Sequence, residues 1–257
     1  MKTIQFVETT LRDGHQSLWA TRMKTAHMLP IAPLLDQAGF KSIELMGTVH
    51  FDACLRYLRE DPWERIRLLH KAMPNTPLSA LIRSKSLTSF NIVPDSIIEL
   101  WVQRCAANGI RRLMIFDALH DWNNLSKSVA TAKAAGIEVA VPLVYSLSPV
   151  HTDEFYRQKT AEMIELLDPD IVMIKDSIGL LTPERIKTLV PTIKNEIGDR
   201  SLEMHSHCTT GLATLCCLDS VKFGVDTIYT CASPLANGPS HPSTENMIMN
   251  LKRLGYK

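Results

Sequence analysis

Eight times along 257 residues, a short β-rich apolar run is followed by a turn and then by a stretch whose apolar residues recur at helical spacing. The strand candidates are "TIQFVET" (3–9), "SIELM" (42–46), "LSALIR" (78–83), "RRLMIFD" (111–117), "EVAVPLVY" (138–145), "IVMIKD" (171–176), "LEMHSH" (202–207) and "DTIYTCA" (226–232). Most are continuously apolar, as parallel strands covered on both faces must be. Helices are predicted near 25–38, 61–72, 95–108, 122–135, 153–167, 183–196, 211–223 and 243–253. "LTPER" offers Thr182 as N-cap and Pro183 at the first helical position, while "AAGI", "AANGI" and "KFGVD" set glycine where a helix should stop. Eight such units in a chain of this length predict an α/β fold, a single-domain (β/α)8 TIM barrel over 1–257. The rival, a doubly wound open sheet, usually opens with a Gly-rich phosphate turn, and no G-x-G-x-x-G is present.

In such a barrel chemistry collects at the C-terminal ends of the strands. Strand 1 ends in "TTLRDGHQS", which carries Arg12, Asp13, His15 and Gln16; His50 and Asp52 follow strand 2, and Arg83 and Asp117 end strands 3 and 4. Lys175 and Asp176 end strand 6, and His205 and His207 end strand 7. Residues i and i+2 of a strand share a face, so both imidazoles can reach one ion, and Asp13 from across the barrel would complete an N2O set suited to Zn, Mn or Co. Two hydrogen-bonded histidines without metal would give the same spacing. Lys175 lies in the otherwise apolar "VMIKDSIG", where an unpaired charge is costly. It must pair with a carboxylate such as Asp13 or Asp176, lose its proton, or be carbamylated by CO2, and spacing does not choose among these.

Five ordered stretches, "ETTLRDGHQSLWATRM", "FDACLRYLREDPWERIRLL", "LIRSKSLTSF", "MIKDSIGLLTPE" and "MHSHCTTGLA", resemble the biotin-dependent carboxyltransferase barrels of pyruvate carboxylase, the oxaloacetate decarboxylase alpha subunit and the transcarboxylase 5S subunit. The resemblance runs from about residue 4 to 245. It implies a divalent metal held by Asp13, by Lys175 carboxylated with CO2, and by His205 and His207. It also assigns Arg12, Gln16, Asp52 and Arg83 to substrate or biotin. The implied activity is carboxyl transfer to, or decarboxylation of, a 2-oxo acid such as pyruvate or oxaloacetate. A metal ion and arginines would stabilise the enolate charge.

Three departures stand beside it. Pro239, in "LANGPSHPSTEN", occupies the position of the family's proton-shuttling threonine, so Ser240 or His241 is expected to take over that role. Phe90 replaces a tyrosine, and the chain stops without the family's C-terminal helical extension or any A-M-K-M biotinylation motif. Biotin, if used, is therefore expected on a separate carrier protein or another carboxylase subunit. The alternatives are a lyase or aldol-type enzyme of the hydroxymethylglutaryl-CoA lyase and isopropylmalate synthase superfamily, which binds metal without a carbamylated lysine, and a non-catalytic barrel subunit.

The net charge of +1 offers no basic tract for nucleic acid, and no apolar run approaches the length that crosses a bilayer. Six cysteines without C-x-x-C spacing and the absence of a secretory leader predict reduced thiols and a cytoplasmic protein. The resemblance adds a homodimer. Cys208 should point away from the face shared by His205 and His207.

Overall fold

The computed structural model of the protein describes residues 3–88 and 91–257. Phe90 lies outside the described residues. Eight strands, β1 (Gln5–Glu8), β2 (Ser42–Gly47), β3 (Leu78–Ile82), β4 (Ile110–Ile115), β5 (Glu138–Val144), β6 (Ile171–Asp176), β7 (Ser201–Ser206) and β8 (Thr227–Thr230), follow one another around a closed barrel. Every neighbouring pair is parallel, including the closing pair β1 and β8. The expected (β/α)8 architecture is therefore the observed one, with each strand within about two residues of its predicted bounds.

The helices between the strands start and stop where local chemistry directs. Thr182 accepts a hydrogen bond from Arg185 N at the head of Pro183–Ile197, and Thr152 and Ser243 cap Asp153–Leu167 and Thr244–Arg253 in the same way. The helix expected over 25–38 is instead two short pieces, Thr25–Met28 and Ala32–Gln37. Pro30 between them has no N–H to donate and its ring clashes with the preceding turn, so the helix cannot run through. Sequence periodicity also missed a single wide π turn at Thr10–Gly14, closed by a Gly14 N–H bond to Thr9 O of 3.0 Å, and the segments Thr48–Ala53 and Cys54–Leu58 after β2.

Apolar packing forms two layers. The larger lies between strands and helices, and the smaller fills the barrel with Val7, Leu81, Met114, Ala140, Ile171, Met173 and Tyr229. Also inside, Arg112 of β4 pairs with Glu203 of β7, which is completely buried, and Lys41 Nζ reaches the same carboxylate at 3.0 Å. All six cysteines are buried and free, as expected for reduced thiols. Among the described residues no helix is long and apolar enough to cross a membrane.

Candidate metal centre

The π turn after β1 performs the first placement. It packs Gly14 so closely against the β8 side that an added Cβ would meet Cys231 Sγ at 3.1 Å and Leu235 O at 3.3 Å. The turn therefore delivers Arg12 and Asp13, both buried, to the C-terminal mouth. Arg12 is wedged between carboxylates: one terminal nitrogen lies 2.8 Å from Asp13 Oδ2 and 2.7 Å from Glu44 Oε2. Its other terminal nitrogen donates to Gln16 Oε1 at 3.4 Å. His50 accepts from Gly47 N–H at Nδ1 and donates from Nε2 to Arg12 O (3.1 Å), fixing the backbone there. His15 Nε2 bonds Leu11 O at 3.0 Å, so it braces the turn.

Strand register performs the second placement. Lys175 of β6 pairs directly with His205 of β7, and its Nζ lies 2.7 Å from His205 Nε2. Asp176, the next residue, turns the other way: its carboxylate accepts N–H bonds from Gly179, Leu180 and Leu181 at 2.9–3.0 Å and the Ser206 hydroxyl at 3.0 Å. Of the two carboxylates considered as partners for the lysine, Asp176 is thus occupied with bracing the β6 loop. Burial, then the Arg12 charge, pull Lys175 down to about 8 from its ordinary 10.5.

Four side chains converge next to Lys175. Asp13, His205, His207 and His241 each bring one ligand atom, all within 4.8 Å of one another. His205 and His207 hold Nε2 3.5 Å from Asp13 Oδ2, and His241 holds Nε2 3.2 Å from the same oxygen. His207 donates its Nδ1 proton to Pro239 O at 2.6 Å and His241 its own to Ser206 O at 3.1 Å, which leaves both Nε2 lone pairs facing Asp13. Burial keeps His205 far below the usual imidazole range and His241 at about 4, so both are neutral. Although burial alone would raise Asp13, the Arg12 charge foremost holds its carboxyl well below the ordinary value. A carboxylate beside neutral imidazoles is a donor set for a divalent cation, and the residues fit one.

A cavity of about 420 Å³ opens over this cluster, lined among others by Arg12, Gln16, Arg83, Lys175, His207 and Pro239. Two expected contributors are not brought there. Asp52 is half-buried and paired with Arg56 at 2.7 Å, and Ser240 is fully buried, donating to Leu235 O at 2.7 Å. His241 is fully buried as well, beneath the cavity in the cluster itself. Cys208 stays outside the cluster, its thiol facing Asn237 Oδ1 at 4.0 Å. Glu44 was missed by sequence reasoning, although an acidic residue inside the apolar run "SIELM" was its signal.

The family model described as HMGL-like matches residues 116–257. The chain belongs to the HMGL-like family. Relatives of this HMGL-like barrel include a pyruvate carboxylase subunit of Methanocaldococcus jannaschii, 45% identical over 98% of this chain and 44% of that protein. "Methylmalonyl-CoA carboxyltransferase 5S subunit" of Propionibacterium freudenreichii subsp. shermanii is 34% identical over 99% of this chain and 50% of that protein. The carboxyl transferase domain of Rhizobium etli pyruvate carboxylase, solved with 3-bromopyruvate, superposes with a TM-score of 0.94 at 30% identity, covering 98% of this chain and 43% of that one. The resemblance that the five motifs implied is borne out, and the HMGL-like chain spans half or less of the length of these relatives.

Proposed function

We propose that this barrel is a metal-dependent carboxyltransferase or decarboxylase acting on a 2-oxo acid such as pyruvate or oxaloacetate. The observation that carries the reading is the juxtaposition, at one cavity, of a buried divalent-cation donor set with Arg12 and Arg83. It is supported by the likeness to pyruvate carboxylase and transcarboxylase subunits over nearly the whole chain. Asp13, His205 and His207 would hold zinc, manganese or cobalt, joined by Lys175 once CO2 has carboxylated its amine. The bound metal would supply Lewis acidity where enolate charge develops.

The chain's own residues have separable tasks. Arg83 offers a guanidinium at the cavity wall for the substrate carboxylate, a geometry that arginine serves with two parallel N–H groups. Arg12, held by Asp13 and Glu44, keeps a fixed positive charge beside the reacting end instead of swinging with the substrate. Gln16, tethered to Arg12, orients the keto group. Pro239 presents no hydroxyl at the cavity, so proton transfer between substrate and biotin would need a group other than that residue. Biotin is read as arriving on a carrier chain or other carboxylase subunit, to a cytoplasmic enzyme that pairs with a second copy of itself.

Oxaloacetate decarboxylation should be measured on purified protein with and without free biotin, together with metal content and native mass spectrometry in bicarbonate. Metal-dependent turnover and a mass increment of one CO2 that is absent in Lys175→Met are expected. Protein that carries metal yet leaves oxaloacetate and pyruvate untouched, with or without a biotin donor, would overturn the reading.

A further inference from the structure

We propose that His241 is itself a metal ligand, so that Asp13, His205, His207 and His241 form a set of one carboxylate and three imidazoles, to which Lys175 adds a further ligand when it carries CO2; this rests on the metal-dependent reading above. The argument is geometric. Ligand atoms bound tetrahedrally at the roughly 2.0–2.2 Å usual for nitrogen and oxygen on zinc stand about 3.3–3.6 Å from one another. The separations here are 3.5 Å for Asp13 to His205, 3.5 Å for Asp13 to His207, 3.2 Å for Asp13 to His241 and 3.3 Å for His205 to His207. Three of these separations have the length of a tetrahedron's edges around one ion, and the fourth, to His241, is 0.1 Å shorter than that range.

A hydrogen-bonded histidine would produce a different picture. His241 Nε2 lies within reach of the Asp13 carboxylate but makes no hydrogen bond, although the ring is fully buried. With its proton on Nδ1, the ring turns an Nε2 lone pair toward a carboxylate oxygen at 3.2 Å, a pairing of two electron donors that a cation between them would relieve. The other ring nitrogen is already satisfied by Ser206 O, in the way metal-ligating histidines are commonly oriented. The backbone supports this placement: Cys208 N–H donates to Ser240 O at 2.8 Å, pinning the loop after β8 onto the end of β7, and Asn237 N–H donates to His241 O at 2.7 Å, closing the loop on itself. Pro239 contributes to the same construction through its carbonyl on His207. A loop that in a shuttle-bearing barrel would supply a hydroxyl supplies here a ligand and the brace for its neighbour.

With four protein donors, the ion is held whether or not Lys175 carries CO2. Cobalt(II) binding to the full chain should therefore be titrated in CO2-free buffer, following the visible spectrum, for the wild type, His241→Gln and His241→Ala. The wild type should bind one cobalt with the intense absorption of a four-coordinate site. Both variants should lose more than about 100-fold in affinity, beyond the roughly 10–100-fold that loss of a merely orienting partner costs, and their spectra should change in intensity. X-ray absorption on the wild-type zinc form counts the imidazoles without any substitution, and three are expected. Two imidazoles, or variants that bind cobalt within about threefold of the wild type with an unchanged spectrum, would overturn the assignment of His241 alone. A wild type that binds no zinc or cobalt would overturn the metal reading beneath it.

Discussion

His120 tests the electrostatics of the barrel outside its metal cluster. It follows β4 with the left-handed φ of 58° and is buried beside Trp122, Phe155 and Tyr156. Its Nε2 accepts the Val144 N–H at 2.9 Å, which requires the neutral ring. Burial first, then the charges of His151 and Lys159, lower it from 6.5 to about 4. Below 6.5 the unfolded chain binds a proton that the folded chain refuses, so the contribution to stability is complete above 6.5 and drains away as pH falls toward 4. At about 1.4 kcal/mol per pH unit, the loss from this residue reaches about 3 kcal/mol. His120→Asn keeps a residue that tolerates left-handed backbone and replaces the imidazole with an amide that does not titrate. Urea unfolding followed by circular dichroism should find the variant less stable than the wild type at pH 7.5, because ring packing is lost. That deficit should shrink by about 3 kcal/mol as the pH is lowered from 7 to 4. Comparison of the pair removes the common contribution of other buried histidines. Parallel stability curves, or an imidazole resonance of folded His120 titrating near 6.5, would refute the reasoning.

Two further outcomes are expected. Gly179 has a φ of +76°, and a Cβ there would meet His207 O at 2.2 Å, so Gly179→Ala should displace the end of β7 and lower zinc affinity at least tenfold while the far-ultraviolet spectrum is kept, as read by competition with a chromogenic chelator. Glu203→Gln leaves buried Arg112 with only the exposed carboxylate of Glu138, 3.6 Å away, as a counter-charge, and urea titration should show a loss of about 3 kcal/mol with unchanged metal stoichiometry.

The barrel was legible because its signals are local and repeated. A buried parallel strand has to be apolar on both faces, and a proline or glycine marks a helix end through its own backbone, so "IVMIKD" or "LTPER" can be read without its neighbours. Lys175, His205 and His207 were legible for a related reason: a polar residue at the end of an apolar strand has few other reasons to be there. What could not be read was anything set by an irregular turn. The π turn decides how Arg12 meets Glu44, and the loop after β8 decides that His241 points under the cavity while Ser240 points into the wall. The pairing of Asp52 with Arg56 was hidden for the same cause, because the helical segments after β2 bring the two together.

Lys175 and Asp176 are neighbours whose side chains serve unrelated ends, one beside His205 and the other closing a loop through three amides and a hydroxyl. A descendant of this chain that abandoned its present reaction could discard the lysine at little cost, since a buried amine is a burden unless it is used. The aspartate could not follow, because without it the β6 loop would lose its anchor whatever reaction the barrel ran. The lysine position should therefore record changes of chemistry among descendants, while the aspartate beside it records only their shared ancestry.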